Sequence, residues 1–257
     1  MQRPRGWGIS IQPQGTGDQA AGALLELLKP LCYHNWSIRP FAVDAPVTFA
    51  PSVYSAALLD ELAVAEEMAQ RPGNTWLLLN EPERPEQAAM TPWAAMTTTQ
   101  EFLSVAWAEG EEFQWAAPGV SVTTADYDGL EWLTEYVKLC RRRCGIQRPS
   151  YWHIHMNAPS GAAFRAAWQR FENWWITWGA GAPVIISEVC AQNAALSEQV
   201  SVMEQTDGLL ISGHVAAAFW FTASPSTYVE WPNAALATVA PGGRAMLTPT
   251  GTAWMNI

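Results

Sequence analysis

Trp76-Leu77-Leu78-Leu79-Asn80-Glu81-Pro82 is an apolar run that stops at an amide and a carboxylate, and a proline closes it. Unbroken rather than alternating hydrophobicity marks a strand buried on both faces. Pro82 has no N–H to continue a ladder, so Asn80 and Glu81 fall at the strand's C-terminal end. Pro183-Val184-Ile185-Ile186-Ser187-Glu188-Val189-Cys190 repeats the design, with its first carboxylate again at the far end. Working outward from these two runs, short strand-like segments recur at Trp7 to Gln12, Leu31 to Trp36, Val47 to Ala50, Thr75 to Asn80, Phe113 to Val120, Tyr151 to Asn157, Val184 to Glu188 and Val215 to Phe221. Helical periodicity fills the gaps at Gln19 to Leu28, Ser55 to Gln70, Trp93 to Glu109, Asp128 to Arg143, Gly161 to Trp178 and Ala195 to Leu209. Ser37 to Pro46 is too short for a helix. Strands alternating with helices over this length predict an α/β chain, a single (β/α)8 TIM barrel over residues 1–257 with a short or missing second helix. A doubly wound sheet would carry a Gly-rich turn after an early strand, whereas Gly6-Trp7-Gly8 precedes one.

The 257 residues are 49% hydrophobic, enough for a large core without disulfide or metal staples. A net charge of -10 disfavours nucleic acid and anionic membrane surfaces as partners. No apolar stretch reaches the length of a membrane span, and no leader pattern follows Met1. Cys32, Cys140, Cys144 and Cys190 are too scattered for a disulfide framework and are expected to be buried thiols. Fifteen tryptophans are far more than ordinary usage, which points to indole faces in a ligand groove.

In a barrel, reactive groups sit where strands end, and strands four and seven lie on opposite sides of the mouth. Glu81 and Glu188 therefore face each other across a cleft. Facing carboxylates suit glycosidic bond cleavage, in which one donates a proton to the leaving oxygen and the other is the nucleophile or the base for water. That division requires a raised pKa at the donor and an ionised partner.

The Leu79-Asn80-Glu81-Pro82 motif, with Glu83 and Gln87-Ala88-Ala89-Met90-Thr91-Pro92 behind it, resembles the fourth-strand signature of glycoside hydrolase family 128, in clan A of the (β/α)8 retaining enzymes. Tyr33-His34-Asn35-Trp36 is similar to that family's second-strand pattern, and Ile186-Ser187-Glu188 to its seventh-strand motif. The resemblance spans nearly the whole chain. It implies hydrolysis of β-1,3-glucan by double displacement, with Glu81 as acid/base, Glu188 as nucleophile and Asn80 on the 2-hydroxyl, and with no cofactor or metal. The implied partner is a β-glucan oligo- or polysaccharide, and the chain is expected to be a monomer. A polymer substrate favours export, although the chain itself carries no address.

Two histidines at period two, His153 and His155, share one face of the sixth strand. The resembling family usually has a Tyr, bonded to the nucleophile, where His155 stands, so His155 is expected to orient Glu188 and to bring a titratable group to the site. His153 is open between a substrate contact and an interior hydrogen bond. A His153/His155 zinc hydrolase is the metal alternative, needing further ligands from other strands. Trp220 is the candidate sugar floor at the end of strand eight, with Trp36 and Asn35 contributing from strand two. Trp168, Trp174, Trp175 and Trp178 recur at helical spacing and read as core, as does Trp76. Thr48-Phe49-Ala50-Pro51-Ser52 departs from the family's third-strand ending. Pro225 to Pro241 reads as a long loop in which Glu230-Trp231 is either a distant sugar platform or an anchor. Hydrolysis of another β-glycan (β-1,4-glucan, mannan or xylan) and a non-catalytic carbohydrate-binding barrel stay open as alternatives.

Overall fold

Eight parallel strands close on themselves in the computed structural model, which describes residues 6–12, 16–108, 113–123, 128–143, 146, 148–179, 181–225 and 231–257. They are β1 (Trp7–Ser10), β2 (Cys32–His34), β3 (Thr48–Phe49, resuming as Ser52–Val53), β4 (Thr75–Leu78), β5 (Gln114–Ala116, resuming as Val120–Ser121), β6 (Trp152–Ala158), β7 (Val184–Ala191) and β8 (Val215–Trp220). Each pairs with its sequence neighbours, and β1 pairs with β8 to complete the (β/α)8 barrel.

Two strands are broken, and proline explains both. Pro51 has no N–H, so the ladder to β2 ends with Ala50 N–H donating to Tyr33 O at 2.8 Å. Past the break, β3 serves β4 instead, beginning with Leu77 N–H to Pro51 O at 2.8 Å. In β5, Pro118 separates the half that pairs with β4 from the half that pairs with β6.

The helices are α1 (Asp18–Leu28), α2 (Glu61–Gln70), α3 (Pro92–Ala108), α4 (Gly129–Arg142), α5 (Gly161–Trp174, continuing as a π-helical turn Trp175–Gly179), α6 (Leu196–Ile211) and α7 (Pro249–Trp254). Side-chain caps start several of them: Asp128 accepts from Leu130 and Glu131 N–H, Ser160 from Ala163 N–H, and Thr248 from Gly251 N–H. Residues 35–47 contain no helix or strand, so the second crossover has no helix, as its length requires. Among the described residues, no helix is long and apolar enough to cross a membrane.

Alternation within the strands builds the interior. Leu77, Ala116, Ile185 and Phe219, with Ala50, form an apolar plug inside the barrel. Their neighbours point outward to the helices; Trp76 packs on Phe102 of α3 with ring centroids 5.5 Å apart. Trp152 meets Trp174 edge to face at 5.0 Å. Trp168 and Trp174 are core residues, as their helical spacing requires.

Beyond strand eight, the expected loop contains more structure. A 3-10 turn (Pro232–Ala234) leads into an antiparallel hairpin, β9 (Ala237–Val239) and β10 (Ala245–Leu247), which packs on α1. Strands of three residues carry too few alternations to be legible. Gly251 in α7 lies so close to Leu236 O that a Cβ would stand 1.8 Å from it, which explains the glycine. Cys32 and Cys190 are free and sit in or against the core, and Cys140 is free as well; burial pushes the Cys32 thiol up to about 12 and Cys140 up to about 11. Cys144 and Glu230 lie outside the described residues.

Candidate active site

Above the apolar plug the barrel interior turns polar. Ser10, His34, His153 and Ser187 make a first layer: His34 Nε2–H donates to Ser187 O at 2.9 Å, and His153 Nε2 is bonded to Ser187 Oγ. Burial drives the His34 ring down to about 3 and His153 well below the ordinary histidine value, so both are neutral. His153 is thus an interior hydrogen-bonding group beneath the mouth. A Cβ on Gly119 would meet its ring at 2.4 Å, so glycine is needed where β5 crosses it.

The carboxylates form the next layer. Strict alternation from the interior Ile185 would turn Ser187 inward and Glu188 out toward the helices. A register shift against both neighbours prevents this: Ile154 pairs with Ile186 but His155 with Glu188, and Ala218 pairs with Ile186 but Trp220 with Val189. The extra residue is a bulge at Ser187, and it re-aims Glu188 into the mouth. Glu81 reaches the mouth by a different route. Leu79 and Glu81 adopt left-handed backbone, with φ of 50° and 41°, and Glu81 N–H is anchored to Gly119 O at 2.7 Å. Trp36, at φ 55°, is a third left-handed residue here. Such conformations are costly for non-glycine residues and persist only where surrounding structure enforces them.

Glu188 accepts an N–H on each oxygen, from Trp36 Nε1 to Oε1 and from Asn157 Nδ2 to Oε2, both at 3.0 Å. The Cys190 thiol bonds Asn157 Oδ1 at 3.4 Å, which fixes the amide with its NH2 toward Glu188. Glu81 accepts from His155 Nδ1 at 2.9 Å on Oε1 and pairs with Arg84 at 3.2 Å on Oε2. His155 stands 3.7 Å from Glu188 Oε1, beyond hydrogen-bond range. One atom each from Glu81, His155 and Glu188 lies within 4.8 Å of the others.

Charge follows from these contacts. Burial pushes the Glu81 carboxyl up, but the His155 bond and charge together with Arg84 outweigh it and hold the group below the ordinary carboxylate value. Burial and the charge of Glu81 push Glu188 up, against the pull of His155, Trp36 and Asn157. Burial alone would lower His155; the two carboxylates raise it to about 9. Glu81 is thus pulled down where the expected division needs a raised value, and Glu188 is pulled both ways, up by burial and the Glu81 charge and down by His155, Trp36 and Asn157.

Several expected contacts fall differently. The strand-six residue bonded to Glu188 is Asn157, two positions beyond His155 on the same face, while His155 serves Glu81. Trp220 points away from the mouth: it is fully buried against Trp7, and its Nε1–H donates to Ala234 O at 2.8 Å, so it cannot be a sugar floor. Alternation from Phe219 places Phe221, not Trp220, toward the mouth, where it meets Trp36 and Trp231 edge to face, each at 5.8 Å. Trp36 is engaged with Glu188 through its N–H. Asn35 holds its own loop, donating to Arg39 O and accepting from Ser37 N–H, both at 3.1 Å. His153 and His155 contact each other edge to face but direct their bonded nitrogens to different partners, so the two rings do not converge as a zinc pair.

Asn80 is held at the mouth by Gln87, whose Oε1 accepts from Asn80 Nδ2 at 3.3 Å and from the Tyr54 hydroxyl. Glu83 accepts Ser121 N–H at 2.7 Å on Oε1, while Oε2 is buried without a hydrogen-bond partner. Burial, helped by the Glu81 charge, pushes Glu83 up to about 7. Asn157, Arg84, Tyr54 and Gln87 escape a reading of the sequence. Asn157 leaves a signal there, as the next member of the His153, His155 period-two face, and Gln87 does so as the head of the Gln87-Ala88-Ala89-Met90-Thr91-Pro92 stretch.

The fold and site together define a (β/α)8 barrel with a two-carboxylate centre at the C-terminal ends of strands four and seven. The chain belongs to the glycosyl hydrolase catalytic core family, whose model matches residues 28–254. Comparison with curated protein sequences returns no match. Among solved structures, the fold is similar to a GH128 subgroup II endo-β-1,3-glucanase from Pseudomonas viridiflava (TM-score 0.76, 20% identity, 98% of this chain and 97% of that one). It is similar also to a curdlan-specific exo-β-1,3-glucanase of subgroup III from Blastomyces gilchristii in complex with glucose (0.74, 20%, 98% of each chain). A third is a subgroup I endo-β-1,3-glucanase from Amycolatopsis mediterranei in complex with laminaritriose (0.70, 18%, 98% of each chain).

Proposed function

We propose that the protein is a β-1,3-glucan hydrolase of glycoside hydrolase family 128 that retains anomeric configuration, with Glu188 as nucleophile and Glu81 as acid/base. The observation that carries the mechanism is the carboxylate spacing. One oxygen of Glu81 lies within 4.8 Å of one oxygen of Glu188, which supports the roughly 5 to 5.5 Å carboxyl separation of retaining enzymes over the roughly 6.5 to 9.5 Å that admits water in inverting ones. The division of roles follows from the donors. An indole N–H and an oriented amide on the two oxygens of Glu188 favour its anion and aim it, as a nucleophile requires. Glu81 is linked to a group that can carry a proton, as an acid/base requires. The linkage specificity rests on the likeness to solved β-1,3-glucanases, together with the strand-end motifs.

The test is digestion of laminari-oligosaccharides with the product anomer followed by proton NMR in the first minutes. Wild type is expected to release the β-anomer first, and Glu81→Gln and Glu188→Gln to lose activity by about 10²-fold or more. Initial α-anomer release would refute retention. Turnover only on β-1,4-glucan, mannan or xylan would keep the chemistry and refute the linkage, and binding without turnover of any β-glycan would refute the enzyme.

A further inference from the structure

A retaining mechanism needs a proton for the departing oxygen, yet Glu81 is the carboxylate with a nitrogen partner on both oxygens, His155 Nδ1 at 2.9 Å on one and the Arg84 guanidinium at 3.2 Å on the other. Neither contact favours a resident carboxyl proton. We propose that this proton is stored on His155 Nδ1, so that the resting site is an imidazolium between two carboxylates, and that His155 releases it through Glu81 as Glu188 becomes esterified. The proposal rests on the assignment of Glu81 as acid/base and Glu188 as nucleophile.

The geometry supports it at three points. His155 is wholly buried, and Nδ1 is the ring nitrogen that faces both carboxylates, at 2.9 Å and 3.7 Å. Nε2 has no hydrogen-bond partner, so Nδ1 is where the ring exchanges its proton. The groups around the ring are Glu81 and Glu83 from the end of β4, Glu188 from β7, His153 below it on β6 and His34 from β2, with Arg84 behind Glu81. The two other histidines are neutral, so the charge that holds the proton comes from the carboxylates, in keeping with a His155 pKa of about 9.

The proton balance closes. In glycosylation a Glu188 oxygen bonds the anomeric carbon as the bond from that carbon to the leaving oxygen breaks. Glu81, ionised at rest, takes the proton from His155 Nδ1–H and passes it to the leaving oxygen, so that it ends the step ionised again and His155 ends it neutral. Glu188 loses its negative charge to the ester and His155 its positive charge, so the net charge of the site is unchanged. Loss of the Glu188 charge removes part of what held the proton, which couples its release to bond formation. Water attack reverses each transfer and restores the imidazolium.

The experiment reads His155 directly. Protein labelled with 15N-histidine is observed by NMR at pH 7, free and after trapping with 2-deoxy-2-fluoro-β-laminaribiosyl fluoride, with the His155 signals assigned from His155→Gln. Imidazolium in the free protein and neutral imidazole in the trapped ester is the expected result; a neutral ring in the free protein, or no change on trapping, overturns the proposal. As a kinetic arm, His155→Gln keeps an N–H donor for Glu81 but cannot store a proton. It is expected to lose about 10²-fold on laminari-oligosaccharides, and at least tenfold less on β-laminaribiosyl fluoride, whose leaving group needs no proton. Equal losses on both substrates would mean that His155 takes no part in protonating the leaving oxygen, which overturns the proposal. Glu81→Gln serves as the reference for the underlying assignment. If it shows no dependence on the leaving group, the acid/base role itself fails; if it does and His155→Gln does not, only the proton store fails. If His155→Gln does not fold, the His155 signals are assigned by elimination from His34→Gln, His153→Gln and His214→Gln, and the wild-type NMR arm decides alone.

Discussion

Glu83→Gln is expected to stabilise the protein at alkaline pH and to leave it nearly unchanged at acid pH. Glu83 has one oxygen on Ser121 N–H and the other buried without a partner, and its folded-state pKa is about 7 against an ordinary 4.5. Because the folded value is the higher one, the folded chain binds this proton more tightly than the unfolded chain. The resulting stability is fully present below 4.5 and is lost as pH rises through about 7. At about 1.4 kcal/mol per pH unit, that displacement corresponds to roughly 3 kcal/mol across the window. Gln keeps the acceptor for Ser121 and never ionises, so it escapes this loss. For a chain of this size the Tm of Glu83→Gln should exceed wild type by about 5 to 10 °C at pH 8 and by about 1 °C or less at pH 4.5. The assay is thermal unfolding of both proteins at half-unit steps of pH, where the difference cancels the titration of groups common to both. A Tm difference that stays constant across pH would refute the reasoning, because a packing effect has no such dependence.

Gly119→Ala should cost about 1 to 3 kcal/mol in chemical denaturation, since the added methyl overlaps the His153 ring. The same substitution should lower kcat, because Gly119 O anchors Glu81 N–H. Trp36→Phe removes the indole donor from Glu188 Oε1 and is expected to reduce kcat/KM for laminari-oligosaccharides by about 10- to 100-fold, the worth of one hydrogen bond to a charged group. Trp220→Ala should destabilise the fold by about 3 to 5 kcal/mol while leaving KM near wild type, and a large KM increase without loss of stability would restore it as a sugar contact.

How far the site could be read from sequence varies residue by residue. Apolar runs that stop at Glu81 and Glu188 located both carboxylates, because burial on two faces and a polar strand end are local properties of the chain. The missing second helix was legible from loop length alone. Roles that depend on which neighbour a side chain reaches were not. His155 and Asn157 share a strand face, and only the register of β6 against β7 sends one to Glu81 and the other to Glu188. Trp220 looked like a sugar floor because aromatics crowd the end of strand eight, yet strand alternation turns it outward and Phe221 inward.

The amino-acid sequence by itself determined the strand and helix periodicities and the two strand-end glutamates, all of which depend on a residue and its near neighbours. Tertiary structure alone decided that Glu188 faces the mouth, since the bulge at Ser187 exists only against the ladders of β6 and β8. It also decided where the charges rest. Each carboxylate has the same intrinsic chemistry, and partners brought from distant strands separate a Glu81 carboxyl held below its ordinary value by His155 and Arg84 from a Glu188 pushed up by burial and bonded to two neutral donors.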